Sequence, residues 1–193
     1  VKAGSFNAPL LGSYFGSGGD AALPYDEEVL ISYETGFKST LFDGTTRLNG
    51  TVYYYDYSDY QAFLFVGVGG VVFNADDTTY GAELELQTSP MDGLDLMANI
   101  AWFDATVQDV PLRFGSPLPP RDVEPTYAPP LQASGMARYS WDALGGIMAV
   151  QADVSYSDSF YYNLRNFSAD QFDSYTLFNA MVSWESSDQT WLA

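Results

Sequence analysis

Along most of this chain the side chains switch between apolar and polar at every second residue, a period that gives a β-strand one apolar face and gives a helix none. Between residues 79 and 88, Tyr80, Ala82, Leu84 and Leu86 alternate with Gly81, Glu83, Glu85 and Gln87. Leu94 to Asp104 repeats the pattern, with Leu94, Leu96, Ala98, Ile100 and Trp102 opposite Asp95 and Asn99. Ile147 to Tyr156 does so again, Met148, Val150, Ala152, Val154 and Tyr156 facing away from Gln151, Asp153 and Ser155. Val29 to Ser39, Thr46 to Tyr57, Leu131 to Tyr139 and Ser174 to Trp184 follow the rule less cleanly, which makes seven strands. The alternation of Leu48, Gly50, Val52 and Tyr54 passes straight through Asn49-Gly50, so that pair reads as strand interior and not as a hairpin turn. No window of a dozen residues carries an apolar stripe at helical spacing, and β-branched and aromatic residues fill the periodic segments.

The links between these segments alternate in length. Thr40 to Thr45, Ser89 to Gly93 and Ser140 to Gly146 are short and rich in turn formers. Ser58 to Thr78, Ala105 to Pro130 and Ser157 to Asp173 are long, beyond the roughly 12 to 15 residues that ordinary loops reach. In an up-and-down meander every second link emerges on the same side, so the short ones gather at one end and the long ones at the other. Transmembrane β-barrels have this layout, and strands of roughly 9 to 11 residues suffice to cross a bilayer at a tilt. The fold class expected is therefore all-β, an antiparallel up-and-down meander forming part of a transmembrane β-barrel, its apolar faces toward lipid and its polar faces lining a wet interior. Aromatic girdles fit the scheme, with Tyr53, Tyr54, Tyr55, Tyr57, Tyr60, Phe160, Tyr161 and Tyr162 near the long-link end and Tyr139, Trp141, Trp184 and Trp191 near the other.

Composition narrows the function. Seven basic residues, scattered from Lys2 to Arg165, face twenty-five acidic ones for a net charge of −18, which argues against nucleic acid as a partner. There is no Cys, hence no disulfide framework or thiol chemistry, and no His, hence no Ser-His-Asp triad and little zinc chemistry. At 47% hydrophobic and 17% aromatic the chain has the apolar content to fold. The longest nearly unbroken apolar run, Phe63 to Phe73, holds three glycines and is well short of the roughly 18 residues of a membrane-spanning helix. The opening residues show no signal-peptide pattern. Thr190 to Ala193 start an eighth strand, so a piece of a larger barrel is expected, because an open sheet in lipid leaves backbone groups unpaired.

The wording of several strands is that of a known family. Residues 25–39, Tyr25-Asp26-Glu27-Glu28 through Tyr33-Glu34-Thr35-Gly36-Phe37-Lys38-Ser39, resemble the pE-x-x-x-x-YE-x-G-x-K-S strand of TonB-dependent outer-membrane receptors. Leu48-Asn49-Gly50-Thr51-Val52-Tyr53-Tyr54-Tyr55-Asp56-Tyr57 is similar to the strand that follows it in that family. Asn74-Ala75 with Tyr80-Gly81-Ala82-Glu83-Leu84-Glu85-Leu86 is similar to its N-A-x-x-x-x-x-G-x-E-x-E strand, and Asp92-Gly93-Leu94-Asp95-Leu96 to the turn and strand beyond. Gly4-Ser5-Phe6-Asn7 looks like the G-G-F-N that precedes them, with Ser5 in place of the second glycine. The resemblance covers most of Gly4 to Trp184. It implies a bacterial outer-membrane barrel of about 22 strands filled by an N-terminal plug. Such a receptor imports ferric siderophores, cobalamin or oligosaccharides with energy passed by TonB. The chain is then a partial barrel domain, residues 1–193, without the plug, the TonB-contacting segment or the terminal strands. A ferric siderophore is the expected cargo, outer-membrane lipid and, through the missing plug, the TonB complex are the expected partners, and no cofactor or enzyme activity is implied.

Candidate binding residues lie on the long links. Arg113 and Arg121 flank a Pro-rich stretch, Arg165 follows Tyr161 and Tyr162, and Tyr60 opens the first long link; guanidinium and phenol groups over a barrel mouth can grip an anionic metal chelate by charge and stacking. The plainer reading is that these arginines tether loops to acidic neighbours. Glu83 and Glu85, with Glu34, have the spacing of a glycosidase pair, but lumen-facing carboxylates are ordinary in a wet barrel. Gly67-Val68-Gly69-Gly70 lacks the lysine or helix of a phosphate loop and reads as a hairpin tip. Asn74, Asp76 and Asp77 match no calcium-loop spacing. Two rival classes stay open at this point: a secreted β-sandwich acting as a carbohydrate-binding module, and a porin-like barrel without TonB coupling. Whether Leu84, Leu86, Leu94, Leu96, Ile100 and Val154 are buried within protein separates the sandwich from the barrels.

Overall fold

Alternating β-formers keep the chain extended and leave each strand one face to bury, so the strands add side by side into a sheet. The computed structural model describes residues 1–7, 24–66, 69–111 and 119–186. In chain order the strands are β1 (Ser5–Phe6), β2 (Pro24–Tyr25), β3 (Val29–Leu41), β4 (Thr46–Val66), β5 (Gly69–Met91) and β6 (Leu94–Val110). They continue with β7 (Arg121–Val123), β8 (Leu131–Ala143), β9 (Gly146–Ser157), β10 (Phe160–Tyr161), β11 (Gln171–Phe172) and β12 (Tyr175–Ser186). The seven long strands form one antiparallel sheet in the order β12-β9-β8-β6-β5-β4-β3, with β7 branching from β6. This is the expected meander, and Asn49-Gly50 lies within β4, paired with Phe37 and Lys38. The start of the expected eighth strand falls outside the described residues.

The short links are tighter than expected. Strand pairing continues to Ala143 and Gly146, leaving Leu144 and Gly145 as a two-residue turn with φ of 55° and 71°. Both central residues in the left-handed region match the right-handed twist of the flanking strands, which is why glycine sits there. No helix among the described residues is long and apolar enough to cross a membrane, a statement that leaves strands untouched.

Cross-strand register aligns the two faces over the whole sheet. One row runs Leu48, Leu86, Ala98, Gly135, Val154, Phe178; the row beside it, on the opposite face, runs Asn49, Glu85, Asn99, Ser134, Ser155, Leu177. The polar face is laced by side-chain bonds: Asn49 donates to Glu85 at 3.1 Å, Asn99 to Ser134 at 3.3 Å and Asn179 to Asp153 at 2.7 Å. On the apolar face Leu84 and Ile100 are 44% and 46% exposed, and Leu86, Leu94, Leu96 and Val154 are half-buried. No second sheet covers them among the described residues, so the two opposed faces that a β-sandwich requires are not formed.

Aromatic rings bound that apolar face at both ends. Tyr33, Tyr54, Tyr80 and Trp102 form one belt, Tyr33 against Tyr54 at 6.5 Å and Tyr80 against Trp102 at 5.9 Å. Tyr139 and Trp141, 5.7 Å apart, belong to the other with Trp184. Of the expected Tyr53-Tyr54-Tyr55-Tyr57 girdle only Tyr54 lies on this face. The period of two sends Tyr53, Tyr55 and Tyr57 to the polar side, where Tyr53 and Tyr55 stack at 4.8 Å. The Tyr53 ring covers Gly81, where a Cβ would stand 2.6 Å from its hydroxyl.

The link expected over Ser58 to Thr78 is a continuation of β4 and β5 well beyond the aromatic belt. Its core formation depends on a bulge. Two residues of β4, Ser58 and Asp59, oppose one of β5 between the pairs Tyr57↔Asp77 and Tyr60↔Ala75, and Asp59 adopts φ 57°. The extra residue inverts the phase of β4, so Tyr60, Ala62 and Leu64 point to the side that Tyr53 and Tyr55 occupied below, beside Val71, Phe73 and Ala75 of β5. β6 and β7 repeat the device: a shift between Val107↔Val123 and Val110↔Arg121, with Asp109 at φ 52°. In both bulges the amide of the left-handed aspartate donates to the carboxylate of an aspartate on the opposing strand, Asp59 to Asp76 at 3.2 Å and Asp109 to Asp122 at 3.1 Å.

Candidate functional site

The two bulges turn apolar side chains inward above the sheet, and there they form the main hydrophobic core among the described residues. Ala62, Leu64, Val71, Val107, Val110, Val123 and Leu164 are buried together, with Tyr60, Phe73 and Ala75 packed around them. All three long links contribute: the β4–β5 hairpin, the end of β6 with β7, and the stretch around Leu164. The result is a folded cap over the polar face. The sequence did carry a signal, since Tyr60-Ala62-Leu64 and Val71-Phe73-Ala75 keep a period of two, but it is hidden where it enters the apolar run Phe63 to Phe73, in which both faces are apolar.

Polar ties join the same three links. Asn166 bridges to the backbone of Glu124, accepting from its amide at 2.6 Å and donating to its carbonyl at 3.0 Å. Thr126 pairs with Tyr161, and the Tyr127 amide donates to the Tyr161 carbonyl at 2.8 Å. Arg165 reaches across to the tip of the hairpin, donating to the Phe65 carbonyl at 2.5 Å, while its own carbonyl accepts from the Arg121 guanidinium. Arg121 in turn lies 5.7 Å from the centre of the Phe167 ring. The first link is also held from its other side. The Gln61 backbone amide donates to Glu28 and its side-chain amide to Ala3 and Asp26, and Asn7 and Asn74 bond to Val72 and Asp26.

Of the candidate binding residues, Arg121 and Arg165 are thus adjacent, and among the described residues their guanidinium groups bond to carbonyls and not to acidic side chains. Tyr161 lies in β10, and the exposed Tyr162 donates to the Ala169 carbonyl at 2.9 Å. Tyr60 lies apart from them, half-buried against the cap core and edge-on to Tyr57 at 5.8 Å. Arg113, Gly67 and Val68 lie outside the described residues. Glu83 and Glu85 share the polar face, along a groove of about 490 Å³ lined by Asn49, Thr51, Asn99, Ser134 and Ser155 among others. Asp76 and Asp77 point to opposite faces, and no group of His, Cys, Asp and Glu among the described residues is placed to hold a metal.

Asp77, 4% exposed at the base of the cap, has its carboxyl pushed above the ordinary range by burial and, secondarily, by the charge of Glu28, against a hydrogen bond from Thr79 that lowers it. Burial likewise raises Tyr60, and Asp77 and Glu28 add to it. A carboxyl with a raised folded pKa contributes stability that is full below its unfolded value near 3.9 and is lost as pH rises through the folded value. The cap is therefore expected to be more stable in mild acid than at neutral pH. Asp77→Asn keeps an acceptor for Thr79 and removes this titration, so cap stability should rise at neutral pH and its loss as pH rises above the unfolded value should weaken. Amide exchange of residues 60–75 as a function of pH checks this; an unchanged pH profile in the variant would refute it.

Comparison with known proteins places this architecture. A family model described as TonB dependent receptor-like, beta-barrel matches residues 3–191. The ferric yersiniabactin uptake receptor FyuA of Yersinia pestis is similar in structure with a TM-score of 0.67 and 15% identity, over 86% of this chain and 24% of that one. The siderophore receptor PiuA of Acinetobacter baumannii matches with TM-score 0.62 and 19% identity, over 83% and 22%. BauA, the ferric preacinetobactin receptor of the same organism, matches with TM-score 0.62 and 16% identity, over 86% and 24%. The chain spans about a quarter of the length of these receptors. With a family match over nearly its whole length and a meander whose apolar face stands open between two aromatic belts, the chain belongs to the TonB-dependent receptor-like β-barrel family of the bacterial outer membrane.

Proposed function

We propose that this chain is wall and outer cap of a receptor that takes up a ferric siderophore with energy passed by TonB. The observation that carries the reading is the family match over residues 3–191, supported by similarity in fold to three receptors whose names specify siderophores or their ferric complexes. The physics of the sheet agrees. Among the described residues strands β3 and β12 each have one neighbour in the sheet, and in lipid open edges need partners because unpaired backbone groups there cost several kcal/mol each. Further strands, to about 22 in a plugged transporter, would close the barrel, and a plug within it would contact TonB. Arg121, Arg165, Tyr161 and Tyr162 are the cap residues suited to an anionic chelate, and Arg113, on the same long link of the sequence as Arg121, is a further candidate; Tyr60 supports the cap from below.

The test is growth under iron limitation. A strain deleted for the full-length gene should fail on one ferric siderophore of a panel while growing on ferric citrate or haem, and deletion of tonB should abolish the rescue by the cloned gene. Rescue that persists without TonB would point to a porin-like barrel, and unimpaired growth on every iron source would refute iron uptake as the role.

A further inference from the structure

We propose that the three outer connections do not act as separate loops but open and close as one cooperative unit, and that Arg165 is the latch of that unit. The reading stands on the cap's own contacts and holds whichever compound the receptor imports. Three observations lead to it. First, the buried cluster draws on all three connections: Leu64 and Val71 from the β4–β5 hairpin, Val107, Val110 and Val123 from β6 and β7, Leu164 from the third. A side chain lost from one leaves a cavity against the other two, so none can unfold without loosening its neighbours.

Second, residue 165 touches both other connections at once, its guanidinium on the Phe65 carbonyl and its carbonyl on the Arg121 guanidinium, while Asn166 beside it holds Glu124 by two bonds. Asn166 has φ 49°, so the chain is bent at the residue that follows the latch. Third, the Nε of Arg165 is buried and has no acceptor among the described residues, which reduces the margin favouring the closed arrangement. An oxygen-rich anion offers the guanidinium a bidentate partner that a single carbonyl does not. Such a group, drawing the Arg165 guanidinium away from Phe65, would release the hairpin tip directly and loosen the β7 segment through the core that the two share. The bulges at Asp59 and Asp109 supply the points where two of the connections leave the regular sheet.

Hydrogen exchange by mass spectrometry on the full-length receptor in nanodiscs tests this. In Arg165→Ala, amides in 60–75, 107–111, 121–127 and 160–167 should exchange faster by a common factor of about ten, the consequence of losing one charge-assisted hydrogen bond. Amides of β8 and β9 within the sheet should not change. Leu164→Ala, which leaves the guanidinium in place but cuts the shared core, should accelerate the same four segments, again by one factor. Should Arg165→Ala fail to assemble, Arg165→Lys and Leu164→Ala carry the test. Acceleration confined to 160–167, or by unrelated factors in the different segments, would overturn the proposal.

Discussion

Leu84→Arg in the complete barrel should lower its unfolding free energy in phosphatidylcholine vesicles by about 2–4 kcal/mol, the cost of a cation on the lipid side near the bilayer midplane. Leu84 sits on β5 between the two aromatic belts, four residues from Tyr80 on the same face, and is 44% exposed with Phe37, Gly50 and Ile100 as its cross-strand row. The residues of that row are apolar and offer a guanidinium no partner. The matched control is Asn99→Arg, one residue along β6 from Ile100 and therefore on the opposite face among Glu85 and Ser134, where a cation meets water and a carboxylate. It should change stability by less than about 1 kcal/mol. Urea titration followed by tryptophan fluorescence gives both values, and equal penalties at the two positions would show that the faces are assigned wrongly.

The second large effect is local. Leu64→Ala empties part of a site that is 1% exposed, and truncation of a fully buried leucine costs about 2–5 kcal/mol. That loss should fall on the cap, making its connections susceptible to brief proteolysis, while the barrel keeps its resistance to heat in detergent. Phe63→Ala, one residue away but on the outer side and 49% exposed, should cost far less although it removes a larger side chain. A cap equally weakened by both would mean that the bulge does not set which face of β4 is buried.

The contrast between Phe63 and Leu64 shows where sequence reading stops. Below Tyr57 the alternation of β4 can be followed residue by residue, and the structure keeps the faces it implies, with Leu48 beside Leu86 and Tyr54 beside Tyr80. At Ser58-Asp59 a single extra residue inverts the phase. Nothing in the local sequence distinguishes that aspartate from one in a turn, because the stabilising partner, Asp76, is seventeen positions away. The same holds at Asp109 and Asp122. Arg121 and Arg165 stood out as cations on long links, but their meeting depends on contacts across 44 positions, and the Arg165 contact to Phe65 spans 100.

By itself, then, the order of residues determined the strands and, below the bulges, their two faces, because a period of two acts between side chains that are neighbours in the chain and needs no distant contact to be read; the family was legible separately, in the resemblance of the strands' wording. Tertiary structure alone decided that β4 and β5 stay paired far into the first long link, that the bulge at Ser58-Asp59 turns Tyr60, Ala62 and Leu64 inward, and that three connections share one core. Those outcomes follow from bulges and from packing between segments far apart in sequence, where the free energy belongs to the contact and not to either segment.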